Sequence, residues 1–280
     1  MVPIMGVDFN ITTSDAAYGF LLNVLGFHAG ELIMEYLVDC SRNVDIFVER
    51  NLHRLAHLDI FDVRFVAYHV TASLDDCEEI KRTGIRDLRY VLSHNTMLSN
   101  FLGRGGIQFD IENCTMLVDG NRFNIDYDFY RSRQLRTPEE EQLEDIAHRV
   151  CYDFCVNGFL TSDDVKRYGT DIHKRPEFIS KLIKLSSKAK ELDEYWRSNS
   201  KPYKVFFYVT ADQIHKFTFD LEKNYLPYSA CEQEQIKRWM LGWAVDRAFD
   251  PCSDLYIYIR DYEYVPPEQI ISCEIMDQDE

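Results

Sequence analysis

Apolar positions recur at three- and four-residue steps through the first sixty residues. Thr13 or Ser14 can cap a helix whose first turn holds Asp15. Leu21, Leu22, Leu25 and Phe27 then form an apolar face, and Leu32, Ile33, Tyr36 and Leu37 follow Gly30. A further amphipathic stretch runs from Val44 to Leu58, so residues 1–60 are predicted to be a helical segment. At Val63 the period shortens: Val63 to Val70 is β-branched and aromatic and reads as a strand. Asp75 to Thr83 is predicted helical and stopped by Gly84, and a short helical pair ends at Gly103. Ile107 to Ile125 alternates around the hairpin turn Asp119-Gly120-Asn121. Thr137-Pro138-Glu139-Glu140 opens a helix carried to Phe159, and Pro176 to Tyr195 reads as a second. Strands are expected at Lys204–Val209, Lys216–Phe219, Leu255–Ile259 and Ile270–Met276, with a helix over Cys231–Ala248.

The 280 residues carry 46% hydrophobic and 14% aromatic side chains, enough to fill a core and to exclude disorder. The net charge of −16 disfavours a protein that seeks phosphate over its whole surface. One segment differs, since Lys166 to Lys204 holds 11 basic and 5 acidic residues. It reads either as the solvated face of a helix or as a local cationic surface for a nucleic acid or an acidic partner. The apolar stretch from Ala16 to Val38 is interrupted by Asn23, His28, Glu31 and Glu35, so no membrane association is expected. Eight cysteines with no CxxC pair, Cys252 among them, are expected to be free buried thiols in a reducing cytoplasm.

The motifs GxGxxG, GxxxxGK[ST], GxSxG and HExxH are absent, which sets aside Rossmann dehydrogenases, P-loop NTPases, α/β-hydrolases and zincins. His53 with His57, and His148 with Cys151 and Cys155, have helical spacing but no fourth ligand nearby; no metal is expected.

Three patches in chain order carry more information. Tyr68-His69-Val70-Thr71 precedes a helix that closes on Thr83-Gly84-Ile85. Gly103-Arg104-Gly105-Gly106-Ile107-Gln108-Phe109 comes next. Last come Ser253-Asp254-Leu255-Tyr256-Ile257-Tyr258-Ile259 and Val265-Pro266-Pro267-Glu268-Gln269-Ile270. Together they resemble the ADP-ribosyltransferase superfamily, in the branch of poly(ADP-ribose) polymerases, DarT-like toxins and RNA 2′-phosphotransferases. The resemblance implies an α+β fold: a helical N-terminal layer plus a split antiparallel or mixed-sheet core over residues 61–280, with a helical insertion at about 137–200.

It further implies an NAD-dependent ADP-ribosyltransferase, a toxin or phage-defence effector acting on a nucleic acid or a protein, with NAD as substrate. His69 matches the family histidine that binds the ribose, with Thr71 beside it. The family tyrosine that stacks on nicotinamide falls at Gln108, leaving Tyr90, Phe109 and Tyr127 as substitutes. The family glutamate has no direct counterpart; Asp254 is the first choice and Glu263 the second for steadying the cationic centre or activating the acceptor. The alternative is a non-enzymatic acidic adaptor or antitoxin-like protein that binds a basic protein partner.

Overall fold

The computed structural model describes residues 6–133, 137–167, 170–221, 228–250 and 254–276. Ser253, Cys252 and Pro251 lie outside them. In chain order come β1 (Val7–Asn10), α1 (Ser14–Leu25), α2 (Ala29–Met34), α3 (Val44–Asn51), β2 (Val63–Ser73), α4 (Glu78–Thr83) and α5 (Leu88–Ser93). Then follow α6 (Met97–Arg104), β3 (Ile107–Asp110), β4 (Thr115–Val118), β5 (Asn121–Asn124), α7 (Tyr127–Arg131), α8 (Pro138–Tyr152) and β6 (Asn157–Thr161). The rest are α9 (Glu177–Leu182), α10 (Ser187–Asn199), β7 (Lys201–Val209), α11 (Ala230–Phe249), β8 (Leu255–Tyr258) and β9 (Ile270–Ile275). The fold is α+β.

Contacts divide the chain into two compact units, each assembled from three separate segments. The first comprises residues up to His69, Asn157–Asp163 and Phe206–Ile259. Its sheet has the order β8-β6-β2-β7, with β1 added parallel to β2 through Val7↔Val63. The β2–β6 and β6–β8 pairs are antiparallel. Helix α1 starts where the Thr13 side chain accepts the Ala16 amide and stops at Gly26 in the left-handed region (φ 66°). Its buried Phe20 meets Phe9 edge-on, and Phe9 in turn packs on Phe65 of β2 and Trp239 of α11. Burial of these rings is the main stabilising term in this core.

The second unit comprises Val70–Val156, Asp164–Val205 and Arg260–Glu280. Here the end of β2, the first half of β7 and β9 lie in the order β2-β7-β9, and β3-β4-β5 forms a separate meander. The β4–β5 turn uses Asp119 and Gly120, both at positive φ, as the Asp-Gly pair demands. Thr137 and Glu140 cap α8 reciprocally, with Pro138 in the first turn. The core joins Leu98, Leu102, Met116, Ile146, Ile179 and Trp196, whose indole N–H donates to the Ala72 carbonyl at 3.1 Å. Beneath α10, the Arg175 and Asp193 side chains, each 9% exposed, pair at 2.5 Å.

Several elements differ from expectation. The first sixty residues include a strand, β1. The span 137–200 is not wholly helical, because it holds β6. Helix α8 ends at Tyr152, and Phe159, Leu160 and Thr161 are buried in a strand. Lys216–Phe219 is a 3₁₀ turn rather than a strand. The helix expected over Pro176–Tyr195 breaks after Leu182, and Ser186 caps a new one by accepting the Ala189 amide. Two cysteines expected to be buried, Cys114 and Cys231, are exposed. Among the described residues no single helix is long and apolar enough to cross a membrane.

Candidate functional site

Strand β2 places His69 in the first unit. Its side chain is half-buried, and Nδ1–H donates to the Asn157 carbonyl on β6 at 3.0 Å. Burial pushes the imidazole below its ordinary pKa, so the ring is neutral at pH 7. The carbonyl can only accept, which puts the proton on Nδ1 and leaves Nε2 as a hydrogen-bond acceptor. Nearby on β6, Gly158 is required by close packing: a Cβ there would lie 2.9 Å from the Phe207 ring and 3.0 Å from the Tyr68 carbonyl oxygen.

Adjacent residues of a strand face opposite sides of the sheet, so Tyr68 points away from His69. The Tyr68 ring stacks on Phe159 at 5.5 Å, and Phe159 packs on Tyr256 at 5.1 Å. The Tyr256 hydroxyl donates to Asp254 Oδ2 at 3.3 Å. Burial, and then the Asp254 charge, hold the Tyr68 hydroxyl well above its ordinary pKa. Asp254 is therefore on the Tyr68 side of the sheet; the structure does not bring its carboxylate to the face that carries His69. On α11, Arg247 donates to Asp163 at 2.5 Å and to the Thr12 carbonyl at 3.5 Å. With Ser14, Phe249 and Asp250, Arg247 and Asp163 line an open surface hollow of about 350 Å³. Arg247 Nε has no hydrogen-bond partner among the described residues. Sequence reasoning missed this arginine, which sits in the last turn of α11 and in no motif.

The remaining candidates belong to the second unit. Thr71 follows on β2 and is half-buried. Tyr90, on α5, stacks on His94 at 3.9 Å, and Arg86 lies 4.6 Å from the Tyr90 ring and 3.3 Å from that of Tyr264. Glu263, next to Tyr264, is exposed. On β3, Gln108 is exposed while Phe109 turns inward onto Phe178, 5.5 Å away. Tyr127 packs edge-on against His148 and Tyr152, both at 5.2 Å.

In the same unit the Gly-Ile of the first patch meets the Val-Pro-Pro of the last. Ile85 and Val265 exchange both backbone hydrogen bonds, at 2.9 and 3.2 Å. Gly84, at φ 79° and ψ −175°, occupies a region open to glycine alone. A Cβ at Gly84 would lie 2.0 Å from the Val265 carbonyl oxygen.

The basic run Lys166–Lys204 is largely committed to carboxylates: Lys174 with Asp171, Lys188 with Asp119, Arg197 with Asp193, Lys201 with Asp76. Among the described residues no group of three or more His, Cys, Asp or Glu side chains is placed to hold a metal ion. No protein-family model, curated protein or solved structure matches the chain.

Proposed function

We propose that the protein is an NAD-dependent ADP-ribosyltransferase built on an ADP-ribosyltransferase-like split-sheet core. The reading rests on His69: a neutral imidazole, its tautomer fixed by the Asn157 carbonyl, offers Nε2 to a ribose hydroxyl. The pairing of Gly84-Ile85 with Val265 supports the fold, because it joins two patches far apart in sequence that carry the resemblance. In the reaction, the bond from the sugar carbon to nicotinamide breaks and its electron pair leaves on the nicotinamide nitrogen. The acceptor's nucleophile closes on that carbon and gives up its proton. A carboxylate eases both steps, and Asp254 and Glu263 are the two candidates that the resemblance leaves for it. The acceptor is a nucleic acid or a protein, consistent with a toxin or phage-defence effector.

The test is nicotinamide release from labelled NAD by the purified chain. Release is expected, and it is lost in His69→Ala and His69→Gln. Of Asp254→Ala and Glu263→Gln, the variant that also loses release carries the carboxylate. No release, together with no rise in melting temperature on adding NAD, overturns the reading in favour of an acidic adaptor that binds a basic protein.

A further inference from the structure

Helix α2 runs directly into a π-turn over Glu35–Asp39, closed by the Cys40 amide on the Glu35 carbonyl at 2.8 Å. An α-turn holds about 3.6 residues and a π-turn holds more, so across the junction every fourth residue falls nearly in line. Leu32, Tyr36 and Cys40 form the buried line, each no more than 1% exposed. Glu31, Glu35 and Asp39 form a second, acidic line. Met34 and Val38 form a third, and they face solvent with 54% and 56% of their surface exposed; Ile33 beside them is 42% exposed. An apolar stripe on both the inner and outer side of one helix is unlike an ordinary surface helix, whose outer side is polar. Such exposed apolar stripes mark interaction surfaces.

The segment is also held in an unusual shape. Immediately after it, Ser41 and Arg42 both adopt positive φ, at 52° and 59°. The Arg42 turn is tied back by its amide to the Tyr36 carbonyl at 2.9 Å and by the Tyr36 hydroxyl to the Arg42 carbonyl at 3.2 Å. Two such residues in succession cost conformational energy that the buried line must offset. Residues 29–50 carry five acidic side chains against the cations Arg42 and Arg50, and Glu49 is paired with Arg238 of α11. Glu35 is engaged by Arg50 and Asn51, whereas the exposed Asp39 and Asp45 have no hydrogen-bond or ion-pair partner among the described residues.

We infer that Ile33, Met34 and Val38, with the acidic line beside them, form a docking surface for a basic amphipathic helix of another protein. The partner's apolar face covers Met34 and Val38, and its lysines or arginines lie along Glu31, Asp39 and Asp45. A second copy of this chain fits less well, since an antiparallel two-fold contact would set one acidic line against the other. An anionic membrane is disfavoured for the same reason. The surface is independent of any NAD chemistry.

The probe is a labelled synthetic helix of leucine and lysine, read by fluorescence anisotropy on the full chain at low and high salt. A leucine–glutamate helix, phosphatidylglycerol vesicles and sedimentation of the chain alone complete the set. The leucine–lysine helix is expected to bind, more weakly at high salt, and the leucine–glutamate helix not at all. Met34→Ser with Val38→Ser leaves every charge in place and weakens binding about tenfold. Asp39→Asn with Asp45→Asn flattens the salt dependence. Ile275→Ser, at an exposed apolar residue elsewhere, changes neither. Equal binding by the wild type and the Met34/Val38 double variant overturns the assignment, as does no binding to the lysine helix. Vesicle binding or self-association that disappears in that double variant overturns it too.

Discussion

Replacing Gly84 with alanine tests the join between the two sequence patches. The backbone at φ 79° and ψ −175° lies where only glycine is comfortable, and forcing a side chain into it costs about 1–3 kcal/mol. The new Cβ starts 2.0 Å from the Val265 carbonyl oxygen, so one of the two backbones must retreat by about an ångström or more. That retreat pulls apart the Ile85–Val265 hydrogen bonds, each worth about 0.5–1.5 kcal/mol net. The expected loss is therefore about 2–6 kcal/mol. Urea unfolding followed by circular dichroism measures it, and hydrogen exchange at the Ile85 and Val265 amides locates it. Asparagine tolerates the ordinary left-handed region but not this one, so Gly84→Asn should lose as much. Gly19→Ala, mid-helix with open space around it, should instead gain about 0.5–1 kcal/mol. A Gly84→Ala protein within about 0.5 kcal/mol of wild type, with both amides still protected, would refute the reasoning.

Further outcomes follow from the same geometry. Burial lowers the His69 pKa below the ordinary imidazole value, so the unfolded chain binds its proton first as pH falls. Stability from this group is intact above about pH 6.5 and is lost as pH drops from there toward the folded pKa; His69→Gln should flatten that part of a stability–pH curve. Asp193→Ala strands the nearly buried Arg175 and should cost about 3–5 kcal/mol, while Arg175→Met with Asp193→Leu should lose much less in a double-mutant cycle. Trp196→Phe leaves the Ala72 carbonyl without its indole donor in a closed core and should cost about 1–3 kcal/mol by urea unfolding.

Legibility followed locality. The Thr13 cap, the Thr137–Glu140 capping box, the Gly84 stop and the Asp119-Gly120 turn depend on side chains within a few residues of the backbone they serve, and all four form. Strand β6 is hidden because Cys151, Cys155 and Phe159 continue a four-residue apolar spacing past the end of α8 at Tyr152. What makes it a strand lies on its neighbours: Tyr68 on one side, Tyr256 on the other, and the Phe207 ring over Gly158. Lys216–Phe219 alternates over four residues, too few to tell a strand from a 3₁₀ turn. The candidate site shows the same division. The motif singles out His69, but its tautomer depends on the Asn157 carbonyl, and Asp254's side of the sheet depends on the β6–β8 register. Neither is written in local spacing.

The three-segment make-up of each unit has a consequence for synthesis. The first unit opens with the N-terminal residues yet closes only when Ile259 has emerged, and the second waits longer still. At about 5–20 residues per second, the ribosome takes about 10–40 s to deliver the stretch between His69 and Ile259. In that time β2 has β1 beside its first four residues alone, until β6 and then β7 are made. The nascent chain must therefore hold the long apolar strand β2 with most of its length unpaired until those partners emerge. A ribosome stalled anywhere in this interval leaves two unfinished units, not one finished and one missing.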